Sequence, residues 1–368
     1  MTSNPYILSA HHLVSGHGTL TKPERLDIAL FESAVEVLAR LGAVHPGARP
    51  DLYDVDVVKG VSYSDTAGAD NTLDVYLPTT HPGPWPIVLY VHGGGFRLLS
   101  KDTHWMMAMA FARRGYMVVN VNYRLAPKHP FPAALQDVSA AYAWLVRNAE
   151  RFGGDIQRIV LAGESAGANL ISSLAIQTAY RRPEPWAREV FELGVQPRAV
   201  VGACGIFDVS GAARLLEGRR LPRTIHDWLL AVRDGYLGAL RDGSKQASEL
   251  ADPVRVLESA PQPDRPMPPF FLPVGGSDPL VPDSERMARA LKRSGVPSKT
   301  AVYPGGGHAF HMATFLPLAK RLWNDTFDFL KEHVPANASR ASKVRPFAPT
   351  RTKSSNWLQE RIINLMAA

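Results

Sequence analysis

The amino-acid sequence predicts an α/β protein built from parallel β-α-β units, and three observations carry that expectation. Strand-like runs rich in apolar residues recur at 86–91, 116–121, 159–162, 195–206, 270–274 and 299–303, with helix-length segments between most of them. A strand covered on both faces reads as a near-continuous apolar run, whereas a half-exposed strand alternates. The run at 159–162 passes through Gly163, Glu164, Ser165, Ala166 and Gly167 straight into an apolar helix. The run at 86–91 ends in His92, Gly93, Gly94, Gly95 and Phe96.

Both turns carry chemistry. In the pattern G-x-S-x-G between strand and helix, a sharp turn lifts the serine hydroxyl off the sheet, and the glycines leave room for strained backbone and substrate. The helix that follows aims its first N–H groups and its positive dipole end at any negative charge growing above Ser165. Consecutive glycines after a buried strand are costly in backbone entropy unless the backbone itself must approach something. What a bare backbone offers is N–H donors, which hold the oxyanion of an acyl-transfer transition state by roughly 3 kcal/mol each.

At 368 residues the chain is long enough for a large core in one domain with insertions. Cys204 is the only cysteine, so no intrachain disulfide and no cysteine-built metal site is expected, and the residue reads as a small core side chain. No basic segment followed by an apolar one opens the chain, and no run reaches the length of a membrane span, so a cytoplasmic protein is expected. The formal charge is +7, but residues 334–368 hold six Lys/Arg against Glu360 alone, which leaves only +2 for the body. No basic groove for nucleic acid is indicated.

In chain order, residues 1–50 contain an amphipathic helix with Pro23 and Glu24 near its start and a broad apolar face from Leu26 to Leu38. Two strands at 56–63 and 73–77, joined by a turn-rich segment, read as an antiparallel entry to the sheet. A helix over about 102–114 carries Trp105, Met106, Met107, Met109 and Phe111, and a proline-punctuated loop leads into a helix ending near Arg147. Residues 209–250 look like a helical insertion above the sheet, with Trp228 within it. After a proline-rich connection at 261–269, the strand at 270–274 ends in Gly275, Gly276, Ser277, Asp278, at the sheet edge where α/β proteins keep their ligands. A helix over about 283–294 follows, then the strand at 299–303 running into Pro304, Gly305, Gly306, Gly307, His308, and a closing helix near 316–332.

His92-Gly93-Gly94-Gly95-Phe96, then Tyr123-Arg124-Leu125-Ala126-Pro127 with His129-Pro130-Phe131-Pro132-Ala133-Ala134-Leu135, then Gly163-Glu164-Ser165-Ala166-Gly167 stand in this order and spacing. They resemble the hormone-sensitive lipase group of α/β-hydrolases, the bacterial HGGG-type esterases, over roughly residues 55–333. The family elbow usually has aspartate before the serine and glycine after the pentapeptide; Glu164 and Ala168 depart from it. The resemblance implies an α/β-hydrolase fold: a mostly parallel central sheet with helices on both faces, and a helical cap that 209–250 and the N-terminal helices would build. It also implies a serine, aspartate, histidine triad in that chain order, which Ser165, Asp278 and His308 satisfy.

The roles expected are nucleophile, imidazole-orienting acid and general base, with the N–H groups of Gly93, Gly94 and Ala166 holding the oxyanion. Asp283 is a rival acid with an N-cap explanation, and His311 a rival base. His92 and Gly95 would shape the glycine loop, Glu164 would orient or pair beside the elbow, and Phe96, Trp105, Met109 and Trp228 are the candidate pocket walls. The implied function is a carboxylic ester hydrolase acting on small to medium apolar esters, with no metal and no cofactor. Amide or formamide hydrolysis, and a non-catalytic receptor, are the alternatives, and the presence of His308 speaks against the receptor.

The domain reading is thus cap helices at 1–50, a catalytic domain at 51–335 and a basic tail at 336–368. In the tail a linker precedes a short helix, with Asn356 and Gln359 as a capping box and Leu358, Ile362, Leu365 and Met366 on one face. That face needs a partner: the protein's own body, a second subunit or an anionic membrane, with docking on protein favoured.

Overall fold

A computed structural model describes residues 50–334, apart from 65–69, 218–220, 243–248 and 261, together with residues 30, 32, 33 and 37. Those four positions are helical, where the amphipathic N-terminal helix is expected; the rest of that helix and the whole tail at 336–368 fall outside the described residues.

Eight strands make one sheet: β1 (Val55–Ser62), β2 (Thr72–Pro78), β3 (Trp85–Val91), β4 (Met117–Val121), β5 (Gly154–Glu164), β6 (Ala199–Ala203), β7 (Phe270–Gly275) and β8 (Ser298–Tyr303). Their spatial order is β1-β2-β4-β3-β5-β6-β7-β8. β2 pairs antiparallel with both β1 and β4, and every later pair is parallel. β3, β6 and β7 are apolar along their length because both faces are covered, whereas β4 includes the buried Asn120, whose amide donates to Lys101 O at 2.8 Å. Along β3, Ile87, Leu89 and Val91 face one core while Val88 and Tyr90 face the other, the two-residue alternation of a pleated strand.

Helices cover both faces. On one side lie α2 (Ala133–Asn148), α3 (Ala166–Ala179), α4 (Pro185–Glu192), α6 (Pro253–Ser259) and α7 (Val281–Arg293); α5 (Arg223–Leu237) contributes Leu229, Val232 and Tyr236 to the same core. On the other side α1 (Trp105–Ala112) and α8 (Pro317–His333) pack through Met107, Phe111, Trp323 and Phe327. α3 is buried along its whole length, so an Ile or Leu truncated to Ala there costs about 2–5 kcal/mol.

Two short helices have no counterpart in the sequence reading. α4 presents only Ala187, Val190 and Phe191 to the core within a charged stretch, and α6 is a two-turn element with proline at its start. Asp283 does not cap α7, contrary to expectation: the helix begins at Val281, and Asp283 lies inside its first turn, fully buried.

Strand register positions the site. Val91 pairs with Gly163 and Glu164 with Ala203, so the glycine loop, the elbow and Cys204 leave the sheet side by side at its C-terminal edge. Gly275 pairs with Tyr303, so the loops bearing Asp278 and His308 leave the same edge together.

Candidate active site

Ser165 sits at φ 54° and ψ −116°, a strained conformation for a side chain with a Cβ, directly before α3. Its N–H donates to Ala203 O at 2.9 Å. The flanking glycines are required by packing. A Cβ at Gly163 would lie 2.6 Å from Val91 O, and one at Gly167 2.0 Å from the same oxygen. The elbow can therefore fold back onto the end of β3 only with glycine at both places.

Asp278 is fully buried, with its Oδ1 accepting the Leu280 N–H at 2.8 Å and its Oδ2 2.9 Å from His308 Nδ1. The His308 side chain is 38% exposed. Burial works against a charged imidazole here, but the paired Asp278 carboxylate raises the His308 pKa well above the ordinary histidine value. Among the described residues Cys204, Asp278 and His308 are the one trio of ligand-type side chains drawn together, within 4.8 Å of one another. Cys204 is buried, which pushes its thiol pKa up, and takes a left-handed φ of 41° where the chain turns off β6.

The glycine loop is held from its first residue. Tyr123 Oη donates to His92 O at 2.9 Å, the two rings stack at 4.3 Å, and burial lowers the His92 pKa to about 3. His92 Nδ1 meets Gly93 O at 2.8 Å, the expected loop-shaping contact. The Gly93 N–H, however, donates to Glu164 Oε1, so it is not free to serve an oxyanion. Among the described residues the N–H groups of Gly94 and Gly95 have no hydrogen-bond acceptor, and that of Ala166, the first residue of α3, has no intrahelical one.

Of the four candidate wall residues, only Trp228 meets the loop; its ring would lie 1.8 Å from a Cβ built on Gly95. The other three are corrected by their surroundings. Phe96 is fully buried and stacks on Tyr236 of α5 at 3.6 Å. Met109 is buried in the core beneath α1 and α8, and Trp105 packs against that same core.

Of the two rivals, Asp283 is engaged away from the elbow and His311 is buried close to Glu164 and His308. Asp283 accepts the N–H groups of Phe207 at 2.8 Å and Asp208 at 3.1 Å and pairs with Arg214; burial raises its pKa to about 6 against the opposing pull of Arg214. His311 is buried against Trp323, and burial lowers its pKa to about 4.

Sequence reasoning missed the groups around Glu164. Its Oε2 accepts from Tyr90 Oη, and His104 Nε2 lies 2.8 Å from its Oε1. His104 Nε2 is close to that oxygen without being aligned on it as a directed hydrogen bond. Burial alone would push the Glu164 carboxyl up; the His104 imidazole more than reverses this and holds the pKa at about 2.

A family profile described as the alpha/beta hydrolase fold matches residues 88–312, more than half of the chain. The chain belongs to the α/β-hydrolase fold family. That is the fold expected from its motifs. It is similar to versiconal hemiacetal acetate esterase of Dothistroma septosporum, 30% identical over 76% of this chain and 80% of that one. To carboxylesterase NlhH of Mycobacterium tuberculosis it is 44% identical over 115 residues, 30% of this chain, so the chain spans only 36% of that relative's length. The crystal structure of esterase LipW from Mycobacterium marinum superposes with a TM-score of 0.68 at 26% identity, covering 84% of this chain and 90% of that one. Among the described residues no helix is long and apolar enough to cross a membrane.

Proposed function

We propose that this α/β-hydrolase cleaves carboxylic esters through an acyl-enzyme on Ser165. The observation that carries the reading is the buried Asp278 carboxylate 2.9 Å from His308 Nδ1, on loops that leave the same end of the sheet as the strained Ser165. The Ser165 hydroxyl attacks the ester carbonyl carbon while His308 takes its proton through Nε2, and Asp278 accepts the Nδ1–H and stabilises the imidazolium. The carbonyl oxygen becomes an oxyanion facing the N–H groups of Gly94, Gly95 and Ala166. On collapse His308 returns the proton to the leaving alcohol. A water then repeats the sequence on the acyl-enzyme and releases the carboxylic acid.

Two features favour small acyl groups. Trp228 lies on Gly95, at the mouth of the glycine loop, and the Dothistroma relative is named for an acetate ester. The expected substrates are short- to medium-chain apolar esters. The test is a series of p-nitrophenyl esters from acetate to palmitate, with wild type and Ser165→Ala titrated by a fluorophosphonate probe. Wild type is expected to label and to prefer the short esters, and Ser165→Ala to do neither. Turnover by Ser165→Ala within tenfold of wild type would remove the serine from the mechanism.

A further inference from the structure

Directly behind the nucleophile lies a group of buried titratable side chains that no proton transfer of hydrolysis uses. Glu164 is 2% exposed, His104 is 1% exposed and Tyr90 is 3% exposed. A buried carboxylate kept ionised is costly unless its oxygens are satisfied, and here each one is. Oε2 takes the Tyr90 hydroxyl; Oε1 takes the Gly93 N–H and lies 2.8 Å from His104 Nε2. His104 is itself fixed, with Nδ1 3.0 Å from Thr103 Oγ1 and 3.2 Å from Ser100 O.

The arrangement joins two chain segments that covalent structure leaves apart. β3 and β5 leave the sheet in register at Val91 and Gly163, and the carboxylate of Glu164 spans the gap just beyond that pair. Glu164 is bonded in the chain to Ser165, and Gly93 to Gly94. One hydrogen bond therefore ties the nucleophile to the first free N–H of the glycine loop. The approach is close enough to require glycine: a Cβ at Gly93 would lie 2.9 Å from both Glu164 O and Glu164 Oε1. Beyond it the loop has little freedom, since Gly94 at φ 100° is backed by Leu98 O and Gly95 at φ 59° by Trp228. What the loop does not fix by itself is its tilt relative to Ser165.

We propose that Glu164, clamped by Tyr90 and His104, is a positioning residue for ester hydrolysis, holding the Gly93 N–H so that the N–H groups of Gly94 and Gly95 meet the oxyanion formed on Ser165. The proposal rests on the serine-hydrolase reading above. A donor displaced by an ångström is weakened in the transition state far more than in the ground state, so the effect belongs in kcat and not in KM.

The test uses the full chain, with active sites titrated, and compares wild type with Glu164→Ala, Glu164→Gln and Tyr90→Phe. Glu164→Ala is expected to lower kcat by about a hundredfold or more with KM changed less than about threefold, in the range found for losing an oxyanion donor. Its affinity for a trifluoromethyl ketone, which forms a tetrahedral oxyanion adduct, should weaken in parallel. Glu164→Gln keeps the length and an acceptor oxygen, and should recover kcat to within about tenfold of wild type.

Equal kcat per titrated site in wild type and Glu164→Ala overturns the proposal, as does a change confined to KM or to melting temperature. If Glu164→Ala does not fold, Tyr90→Phe decides: the loss of one hydroxyl should cost about tenfold in kcat at unchanged KM, and no loss overturns the role. Probe labelling and turnover of the wild type test the hydrolase reading separately. An active wild type with an undiminished Glu164→Ala fails only the positioning role.

Discussion

Because Asp278 Oδ2 lies 2.9 Å from His308 Nδ1 in a buried setting, the imidazolium is stabilised relative to free histidine, and His308 gives up its proton only at higher pH. In the proposed mechanism His308 must be neutral to accept the Ser165 proton. With chemistry limiting, kcat/KM is therefore expected to rise with pH through an apparent pKa above the ordinary value of 6.5. In Asp278→Asn the carboxylate that raises this pKa is gone, so the limb should move down in pH while kcat falls by about 10⁴, the scale of a lost tautomer-fixing acid. A pH–rate profile of both proteins checks the pair; a limb that stays put in Asp278→Asn would show that another group raises the pKa.

At the same scale, Ser165, Gly94 and Gly95 are readable because a strand–turn–helix junction and a glycine run are local signals. Tyr90 and His104 are not. Tyr90 looks like one more apolar position of β3, and His104 precedes α1 without a periodic role; both acquire meaning only when β5 delivers Glu164 beside them. The fate of the Gly93 N–H is hidden for the same reason.

Between elements, a charge network ties the segment between β6 and α5 to α6 and α7. Asp208, fully buried after β6, meets Arg214, Arg255 and Arg286, and these outweigh its burial to hold its pKa at about 2. Asp283 in α7 has Arg214 as its one arginine partner, and its pKa goes the other way, to about 6. The difference is one of partners per buried carboxylate. Below the unfolded value of 3.8, Asp208 loses its stabilising contribution as pH falls through about 2, whereas Asp283 becomes a burden as pH rises from 3.8 through about 6.

Arg214→Ala leaves Asp283 buried without its cation, and should destabilise the fold by about 3 kcal/mol at neutral pH, with a smaller loss at pH 4, where Asp283 is protonated in the native state. Adding Asp283→Asn should restore part of that loss, because the amide still accepts the Phe207 and Asp208 N–H groups. Asp283→Asn alone should leave kcat within a few-fold. Melting curves at the two pH values, with ester turnover alongside, check all three variants. None of this network is visible in the sequence, where Asp283 has the spacing of a cap residue and the three arginines are scattered over more than seventy positions.

Across the whole molecule, the sheet is the part most legible in the sequence, since strands covered on both faces read as near-continuous apolar runs, as β3, β6 and β7 do and β4 does except at Asn120. Residues 209–250 are less so: α5 buries only part of its surface, and its composition alone does not say which side meets the glycine loop. The tail lies outside the described residues and is legible only as charge and pattern. Residues 334–368 carry +5 of the formal +7, while every residue assigned to the site lies between Tyr90 and His308.

Deleting 336–368 should accordingly leave probe labelling of Ser165 and ester turnover intact, and the shortened protein should elute from a cation exchanger at lower salt. The apolar stripe Leu358, Ile362, Leu365 and Met366 separates the two candidate roles of that segment. If it docks on the body or on a second copy, the deletion lowers the melting temperature or changes the elution volume in size exclusion. If its partner is an anionic membrane, both stay as they are and binding to phosphatidylglycerol vesicles is lost. Docking on protein is the expected result, because a single short apolar face anchors weakly to lipid, whereas the same face closes readily against a protein surface already in reach.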